Sequence, residues 1–309
     1  MSAGHLRFWG VRGSYPAPFS SHLKVGGNTS CVEVRVGEHL VVCDAGSGII
    51  PLGNELLKQD RIRRITIVLT HYHWDHISGL PFFVPAFLRG WHIDFYGPGD
   101  SDAEVERLIS EQMKAPYFPV ETETWLADIN YHAVPEGGLA VGPIDLHAFN
   151  VHHPGSTMGY AIEACGKRIV YASDNELSFI DRSIEERLSE FDEEERSLLQ
   201  GMQKEEHQRS IEFMQDMDIL IHDAQYTPED YAKKRGWGHS CYIDTVNCAI
   251  DARVKHLYLF HVDPAYDDDA LDALLHRAEA IIAKRRSKLA CSLACEGMEV
   301  ELAVPPSSG

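Results

Sequence analysis

The chain has 309 residues and a mass of 34.7 kDa, with 44% hydrophobic and 24% charged residues, proportions that exclude a largely disordered or fibrous protein. It carries 28 lysines and arginines against 47 aspartates and glutamates, so its formal net charge is −19. That balance argues against broad, nonspecific binding of nucleic acid. Against this acidic background, 17 histidines point either to a buffered surface or to a metal site.

The sequence contains no apolar run of signal-peptide or membrane-spanning length, so we expect no membrane association. The seven cysteines are scattered and form no Cys-x-x-Cys pair, which favours free, buried thiols. We therefore expect a cytoplasmic protein.

The first part of the chain is predicted to consist of strands separated by turns. Residues 31–36 and 39–43 alternate around a Gly-Glu turn and predict a hairpin. Residues 49–58 have helical spacing. The β-branched run at 65–70 predicts a buried strand that leads directly into His71.

Strands and helices continue to alternate along the rest of the chain. Further strands are predicted at 93–96, 144–150, 159–164, 168–172, 218–222 and 256–260, and helices at 103–114, 243–252 and 271–286. No Pro/Gly/Ser-rich linker interrupts this order. The pattern therefore predicts one α/β domain over residues 1–309.

One segment differs in composition from its surroundings. Residues 179–217 contain 12 acidic and 5 basic residues, and their apolar positions recur at near-helical spacing. We interpret this segment as an inserted acidic helical pair. A solvated face or dimer contact is the simpler reading, and a lid over an active site is the alternative.

The run Thr70-His71-Tyr72-His73-Trp74-Asp75-His76 follows the predicted buried strand. It places three imidazoles and a carboxylate within six residues on the loop that leaves the strand. Imidazole and carboxylate ligands suit zinc, and also iron or manganese. A histidine-rich surface loop would not explain why an apolar strand leads directly into the run, so the sequence predicts a metal site.

With this motif the chain resembles the metallo-β-lactamase superfamily, whose hydrolases share an αββα sandwich of two mixed sheets flanked by helices. The resemblance covers nearly the whole chain. The family's five motifs are matched in order by Asp44, the run from His71 to His76, His153, Asp174 and His261. For the third motif, His153 is preferred because it directly precedes a Pro-Gly turn, and His152 is the alternative.

The resemblance implies two divalent metal ions held by these residues. One ion would be bound by His71, His73 and His153, the other by Asp75, His76 and His261, with Asp174 bridging the two. Asp44 would support the metal loop through hydrogen bonds. Zinc is the expected metal, with manganese or iron as alternatives. An aspartate at the bridging position, where some members carry cysteine, points to binuclear hydrolases rather than antibiotic-type lactamases.

Two residues are candidates for direct roles in catalysis. Asp75 could orient or deprotonate the attacking water in addition to binding metal. His239 lies in a glycine-flanked turn before a predicted helix, where it could hydrogen-bond a phosphate and donate a proton to the leaving group. A helix-capping role is the simpler alternative for His239. Ser240 belongs to the same segment, and His222 and Asp223 are expected to orient His239 or a ligand.

The segments at 8–14 and 26–31 resemble the opening of a bacterial branch that includes phosphonate-pathway and cyclic-nucleotide phosphodiesterases. The segment around His239 resembles a His-Ser segment in phosphodiesterase members such as tRNase Z. Arg12, in the first segment, could contact an anionic substrate or pair with an acidic residue.

These motifs predict a binuclear metal phosphodiesterase that acts on a small nucleotide-type diester, such as a cyclic nucleotide or cyclic dinucleotide. Long nucleic acid is not the expected partner, because an acidic insertion would repel its backbone. A tRNase Z-like RNA 3′-processing endonuclease, a thioester or lactone hydrolase, and a non-catalytic metal-dependent sensor are the alternatives. A homodimer is expected from the family resemblance.

Overall fold

The computed structural model describes residues 4–59, 61–178 and 191–302, which form two seven-stranded sheets with helices on their outer faces. The first sheet has the order β14-β1-β2-β3-β4-β5-β6. Its strands are β1 (Gly4–Gly10), β2 (Cys31–Val36), β3 (His39–Cys43), β4 (Arg64–Val68), β5 (His92–Gly97), β6 (Asp128–Ala133) and β14 (Glu299–Glu301).

The second sheet has the order β13-β12-β11-β10-β9-β8-β7. Its strands are β7 (Leu139–Val141), β8 (Ile144–Asn150), β9 (Met158–Ala164), β10 (Lys167–Ala172), β11 (Ile219–Asp223), β12 (His256–Phe260) and β13 (Ala290–Leu293). Strands β3 to β6 run parallel in the first sheet, and β10 to β13 run parallel in the second. Both sheets are therefore mixed.

Seven α-helices are described alongside short 3-10 turns. They are α1 (Ile49–Leu56), α2 (Trp74–Ile77), α3 (Asp102–Glu111), α4 (Glu193–Met214), α5 (Pro228–Lys234), α6 (Tyr242–Asp251) and α7 (Asp268–Lys284). None of the helices in this part of the chain has both the length and the apolar composition that crossing a bilayer requires.

The apolar pattern of β3 shows how the layers are built. Val41 and Cys43 face the core between the two sheets, whereas Leu40 and Val42 face a second core that contains Leu52 of α1. Because both faces of β3 are covered, its apolar residues need not alternate with polar ones. The layers therefore follow one another as helix, sheet, sheet and helix.

The core between the sheets is rich in aromatic side chains. The ring centroid of Phe260, on β12, lies 6.1 Å from that of Phe8 in the first sheet and 5.6 Å from that of Tyr171 on β10, two strands away in the second sheet. The contact with Phe8 packs the two sheets against each other next to the candidate ligand His261, which directly follows Phe260.

The predicted hairpin is confirmed, with Val36 paired to His39 across its turn. The predicted strand at 65–70 is two residues too long at its carboxyl end. The strand ends at Val68. Thr70 lies beyond it, and the backbone N–H of Thr70 donates to the Asp44 carboxylate at 2.8 Å instead of to a neighbouring strand. The structure also contains β1, β6, β7, β13 and β14, which the sequence patterns did not predict.

The acidic segment forms one long helix over the part that the structure describes. Helix α4 begins with a capping box, in which Asp192 accepts from the backbone of Glu195 at 2.9 Å and Glu195 accepts from the backbone of Asp192 at 3.0 Å. Its last turn packs Phe213 on Phe149, with ring centroids 3.6 Å apart. The first half of the predicted helical pair, residues 179–190, lies outside the described residues.

Candidate metal centre

The candidate site lies where parallel strands of both sheets end. Asp44 directly follows β3, Asp174 follows β10 by one residue, and His261 directly follows β12. The carboxyl ends of parallel strands meet at one edge of a sheet, so side chains from distant parts of the sequence converge there. The run from His71 to His76 follows β4 at the same edge.

A first group of three imidazoles lies on the loops after β4 and β8. Nε2 of His153 is 3.0 Å from Nδ1 of His73, and the ring centroid of His71 is 4.4 Å from that of His73. One nitrogen from each of the three rings lies within 4.8 Å of the others. Three imidazole nitrogens at this spacing could hold a metal ion.

A second group consists of Asp75, His76, Asp174 and His261, all of them buried. Nε2 of His261 lies 3.1 Å from Oδ2 of Asp75. Oδ1 of Asp174 lies 3.0 Å from Nε2 of His76 and 3.3 Å from Nε2 of His261. These four side chains could hold a second ion.

Asp174 lies between the two groups. Its Oδ1 faces His76 and His261, while its Oδ2 is 3.8 Å from Nε2 of His71 and 3.7 Å from Nε2 of His153. The two oxygens of one carboxylate therefore face different candidate metal positions, which is the geometry that a bridging ligand requires.

Two buried polar atoms without hydrogen-bond partners indicate that these residues suit metal ions. Nε2 of His71 and Oδ1 of Asp174 are both buried and have no hydrogen-bond partner. Burying polar atoms without a partner costs free energy, so the site is arranged for something other than its own side chains. The nitrogen faces the first candidate position and the carboxylate oxygen the second, and both are donor types that a divalent cation accepts.

The protonation of the first group also suits a metal. Burial holds the pKa of His71 well below its ordinary value, and burial lowers the pKa of His153 to about 4. Both rings are therefore neutral at pH 7, as metal binding requires.

Asp44 hydrogen-bonds the loop that carries the candidate ligands. It accepts from the backbone N–H of Thr70 at 2.8 Å, from Nδ1 of His76 at 2.8 Å and from the hydroxyl of Tyr171 at 2.7 Å. Since a carboxylate only accepts, Nδ1 of His76 carries the hydrogen, and Nε2 is left for the metal position.

We expect Asp44→Asn to lower metal affinity by about 10- to 100-fold, the usual effect of losing an outer partner of a ligand. Asp44 has a φ of 61°, a left-handed conformation that asparagine also adopts, so the substitution removes acceptors without straining the backbone. Its amide NH2 would face the donors of Thr70, His76 or Tyr171. Competition with a chromophoric chelator measures the effect, and Asp145→Asn, at an exposed position on β8, is the matched control. Equal affinities in the two variants would contradict this role for Asp44.

Two further acceptors orient the other histidines. The side-chain carbonyl of Gln225 lies 2.7 Å from Nδ1 of His261, and the backbone carbonyl of Gly238 lies 2.8 Å from Nδ1 of His153. Each carbonyl can only accept, so in both rings Nε2 is again the atom left for the metal position. Of the two histidines considered for the third motif, His153 makes the contact with Gly238. His153 also belongs to the first ligand group, whereas His152 does not.

His239 and Asp223 form a pair at the edge of the second group. Nδ1 of His239 lies 2.7 Å from Oδ2 of Asp223, and its ring stacks on that of His261 with centroids 5.0 Å apart. Burial opposes the charged form of His239, but the carboxylates of Asp223, Asp174 and Asp75 together outweigh it and raise the pKa above its ordinary value. A histidine with a raised pKa beside candidate metal positions could act as a proton donor.

Two other predicted residues, His222 and Ser240, lie in the structure around the candidate ligands. His222 is buried and contacts Nδ2 of Asn175 through its Nε2 at 3.0 Å. Because Oδ1 of Asn175 accepts from the backbone N–H of His152 at 3.0 Å, His222 supports the loop of His153. Ser240 donates to the backbone carbonyl of Asn175 at 2.5 Å.

The interpretation of Arg12 as an anion contact is not supported by its position. Arg12 is completely buried and donates to the backbone carbonyls of Gly26 at 2.8 Å and Tyr266 at 2.6 Å. Burial lowers its pKa. Its role is to connect two loops, and the acceptors are carbonyl groups instead of the acidic side chain considered from the sequence.

Sequence reasoning missed Gln225 and Ser14 at this site. The backbone N–H of Ser14 donates to Oδ2 of Asp75 at 2.7 Å, and Nε2 of Gln225 donates to the hydroxyl of Ser14 at 3.2 Å. The available signal was the position of Gln225, two residues after Asp223 at the end of a predicted strand. Ser14 makes its contact through the backbone, which residue type does not reveal.

Comparison with known proteins gives the same fold. A family model described as a beta-lactamase superfamily domain matches residues 39–193. A ribonuclease Z of Thermoplasma acidophilum is 22% identical over 289 residues, covering 85% of this chain and 88% of that protein.

Two solved structures extend the likeness over almost the whole chain. The metallo-β-lactamase fold protein YhfI from Bacillus subtilis aligns with a TM-score of 0.64 and 16% identity, covering 97% of this chain and 100% of that one. A diphosphatase from the PhnP family aligns with a TM-score of 0.59 and 18% identity, covering 96% and 97%. At these identities the likeness shows the fold, and it confirms the expected αββα sandwich.

Proposed function

This chain belongs to the metallo-β-lactamase superfamily, and we propose that it is a two-metal phosphodiesterase acting on a small, nucleotide-type diester. The observation that carries the proposal is the position of Asp174, whose two oxygens face separate groups of candidate ligands. When bound, two divalent ions supply charge that stabilises phosphoryl oxygens and lower the pKa of a water molecule.

The chain's own residues supply the remaining requirements of diester hydrolysis. Asp75 orients the attacking water. Its carboxylate is itself held in place, because the backbone N–H of Ser14 donates to Oδ2 of Asp75 at 2.7 Å. His239 donates a proton to the leaving oxygen, and Asp223 keeps its ring oriented and favours its protonated form. Zinc is the proposed metal because imidazole and carboxylate ligands suit it, and manganese or iron accept the same ligands.

Exposed aromatic side chains beside the site support a nucleotide-type substrate. Trp74, between His73 and Asp75, is 75% exposed, and Trp237, two residues before His239, is 61% exposed. Aromatic faces can stack on nucleobases without selecting a particular sequence. Both indoles are carried by segments that also carry site residues.

The charge near the site supports a small substrate rather than a long polyanion. Helix α4 contains six acidic and three basic residues. Its Arg209, Phe213 and Met214 line a cavity together with His152 and Asn175, so this acidic helix lies next to the loop of His153. A long nucleic acid crossing this face would meet net negative charge.

A second candidate function is RNA 3′ processing. The relative from Thermoplasma acidophilum is named a ribonuclease Z, and it matches this chain over most of its length. On the segment before His239, however, Lys234 is paired with Asp263 at 2.8 Å and Lys233 with Asp230 at 3.1 Å. These pairs leave less positive charge for an RNA backbone.

The experiment compares substrates on protein loaded with zinc or manganese. We expect hydrolysis of bis-p-nitrophenyl phosphate that stops when a chelator is added and returns when metal is restored. We then expect cyclic AMP, cyclic GMP or a cyclic dinucleotide to have a higher kcat/KM than a base-free cyclic diester of the same ring.

A precursor tRNA cleaved with a higher kcat/KM than any cyclic nucleotide would instead establish the second candidate. Turnover of thioesters or lactones alone would contradict phosphodiester hydrolysis. Metal binding with no turnover of any of these substrates would support a sensor.

A further inference from the structure

Glu176 is a buried carboxylate next to the site, and no motif in the sequence identified it. The side chain is fully enclosed. Its Oε1 accepts from the backbone N–H of Gly236 at 2.8 Å and from the hydroxyl of Tyr231 at 3.0 Å. Its Oε2 accepts from the backbone N–H of Gly238 at 3.0 Å. Two donors from residues 236–238, here called the glycine loop, and one from Tyr231 on α5 thus converge on one carboxylate.

Gly238 connects this carboxylate to a candidate metal ligand. Its N–H is held by Glu176, and its carbonyl accepts from Nδ1 of His153 at 2.8 Å. Gly238 has a φ of 89°, and a Cβ at this position would lie 2.3 Å from Nδ1 of His153. The loop therefore approaches the imidazole as closely as a residue without a side chain allows, and a displacement of the loop would displace the ring.

Glu176 also contacts the loop that carries His153. Its backbone N–H donates to the carbonyl of His152 at 2.7 Å. The residue after the glycine loop is His239, whose Nδ1 is paired with Asp223. One residue thus joins three segments: the one after Asp174, the one with His153 and the one with His239.

We propose that Glu176 is a positioning residue that holds the glycine loop so that His153 keeps its metal-binding orientation and His239 keeps its place beside the metals. Glu176 acts through Gly236 and Gly238 and does not itself contact substrate. The part concerning His239 rests on the proposed function, whereas the part concerning His153 concerns metal binding alone.

The test replaces Glu176 with glutamine. Glu176→Gln keeps the size of the side chain but turns one oxygen into an NH2 group, which would face an N–H or O–H donor. We expect metal affinity, measured by competition with a chromophoric chelator, to fall by about tenfold, as for other partners of metal ligands. Elemental analysis at a fixed free metal concentration should then find fewer ions per chain than in the wild type.

Two control variants separate positioning from general stabilisation. Tyr231→Phe removes the donor to Glu176 that lies outside the glycine loop, so it should lower the Tm without changing metal affinity. Glu163→Gln makes the same chemical change at an exposed position on β9 and should change neither. If Glu176→Gln fails to fold, Glu176→Asp, which keeps the charge but shortens the reach to the loop, takes its place.

A second readout concerns His239. In Glu176→Gln, kcat should fall more for diesters with poor leaving groups than for p-nitrophenyl esters, because a displaced His239 donates its proton less well. Unchanged metal affinity together with an unchanged leaving-group dependence would overturn the proposal, even if the Tm falls. If the wild type lacks phosphodiesterase activity, the chelator competition still tests the role of Glu176 toward His153.

Discussion

Asp174→Ala is expected to lose about 10³-fold or more in kcat, because the several kcal/mol that metal ions contribute to a transition state depend on both ions being held. The substitution removes the only residue whose two oxygens face both groups of candidate ligands among the side chains described above. It also leaves Asp75 as the one carboxylate in the two groups of candidate ligands, so less negative charge would remain to balance bound ions.

Metal content is the decisive measurement for this variant. Elemental analysis should find fewer than two ions per chain at a free metal concentration that saturates the wild type. Asp145→Ala, an exposed position on β8, is the matched control and should retain both ions and full activity. Full metal occupancy in Asp174→Ala would show that Asp174 does not bridge the ions.

His239→Ala is expected to keep both metals and to slow the chemical step. General acid catalysis by a positioned side chain contributes about 10²- to 10⁴-fold, so the loss in kcat should lie in this range for diesters with poor leaving groups. For p-nitrophenyl esters the loss should be much smaller, since p-nitrophenolate leaves without a proton. The measurement is kcat across a series of leaving groups of increasing pKa.

The structure adds a pH dependence to this prediction. Burial opposes the charge of His239, but Asp223 together with Asp174 and Asp75 raises its pKa above the ordinary value, so we expect the proton-donating form to persist to higher pH than in a free histidine. The wild-type rate on poor leaving groups should fall as the pH rises through that pKa, and this limb should vanish in His239→Ala. His276→Ala, at an exposed position on α7, is the control. Equal losses on all leaving groups would contradict an acid role.

Local patterns, together with the family resemblance, singled out most of the residues that the structure brings together in the candidate site. The run from His71 to His76 could be recognised because its candidate ligands lie within six residues after a buried strand. Asp44, Asp174 and His261 could be located because each follows a strand and matches a family motif in order. The core strands were predictable for a similar reason, as their apolar runs reflect burial on both faces.

Contacts between distant segments could not be predicted from such patterns. Gln225 and Glu176 matter through what they accept from His261 and from the glycine loop, and neither residue type is distinctive on its own. The two alternatives considered for Arg12, an anion contact and an acidic partner, both missed its backbone acceptors for the same reason, since burial among backbone carbonyls is visible only in the folded chain. Edge strands such as β13 and β14 were missed because they are short and only partly buried.

The ligands come from both sheets, and this has a consequence for the order in which the protein is made. His76 and His261 lie 185 positions apart in sequence, yet their Nε2 atoms are 3.3 Å apart. During synthesis the second group of ligands stays incomplete until β12 has been made and has docked. Metals bound there would link the two sheets and favour the folded chain by mass action. We therefore expect metal supply to affect how much folded protein a cell accumulates as well as how fast that protein works.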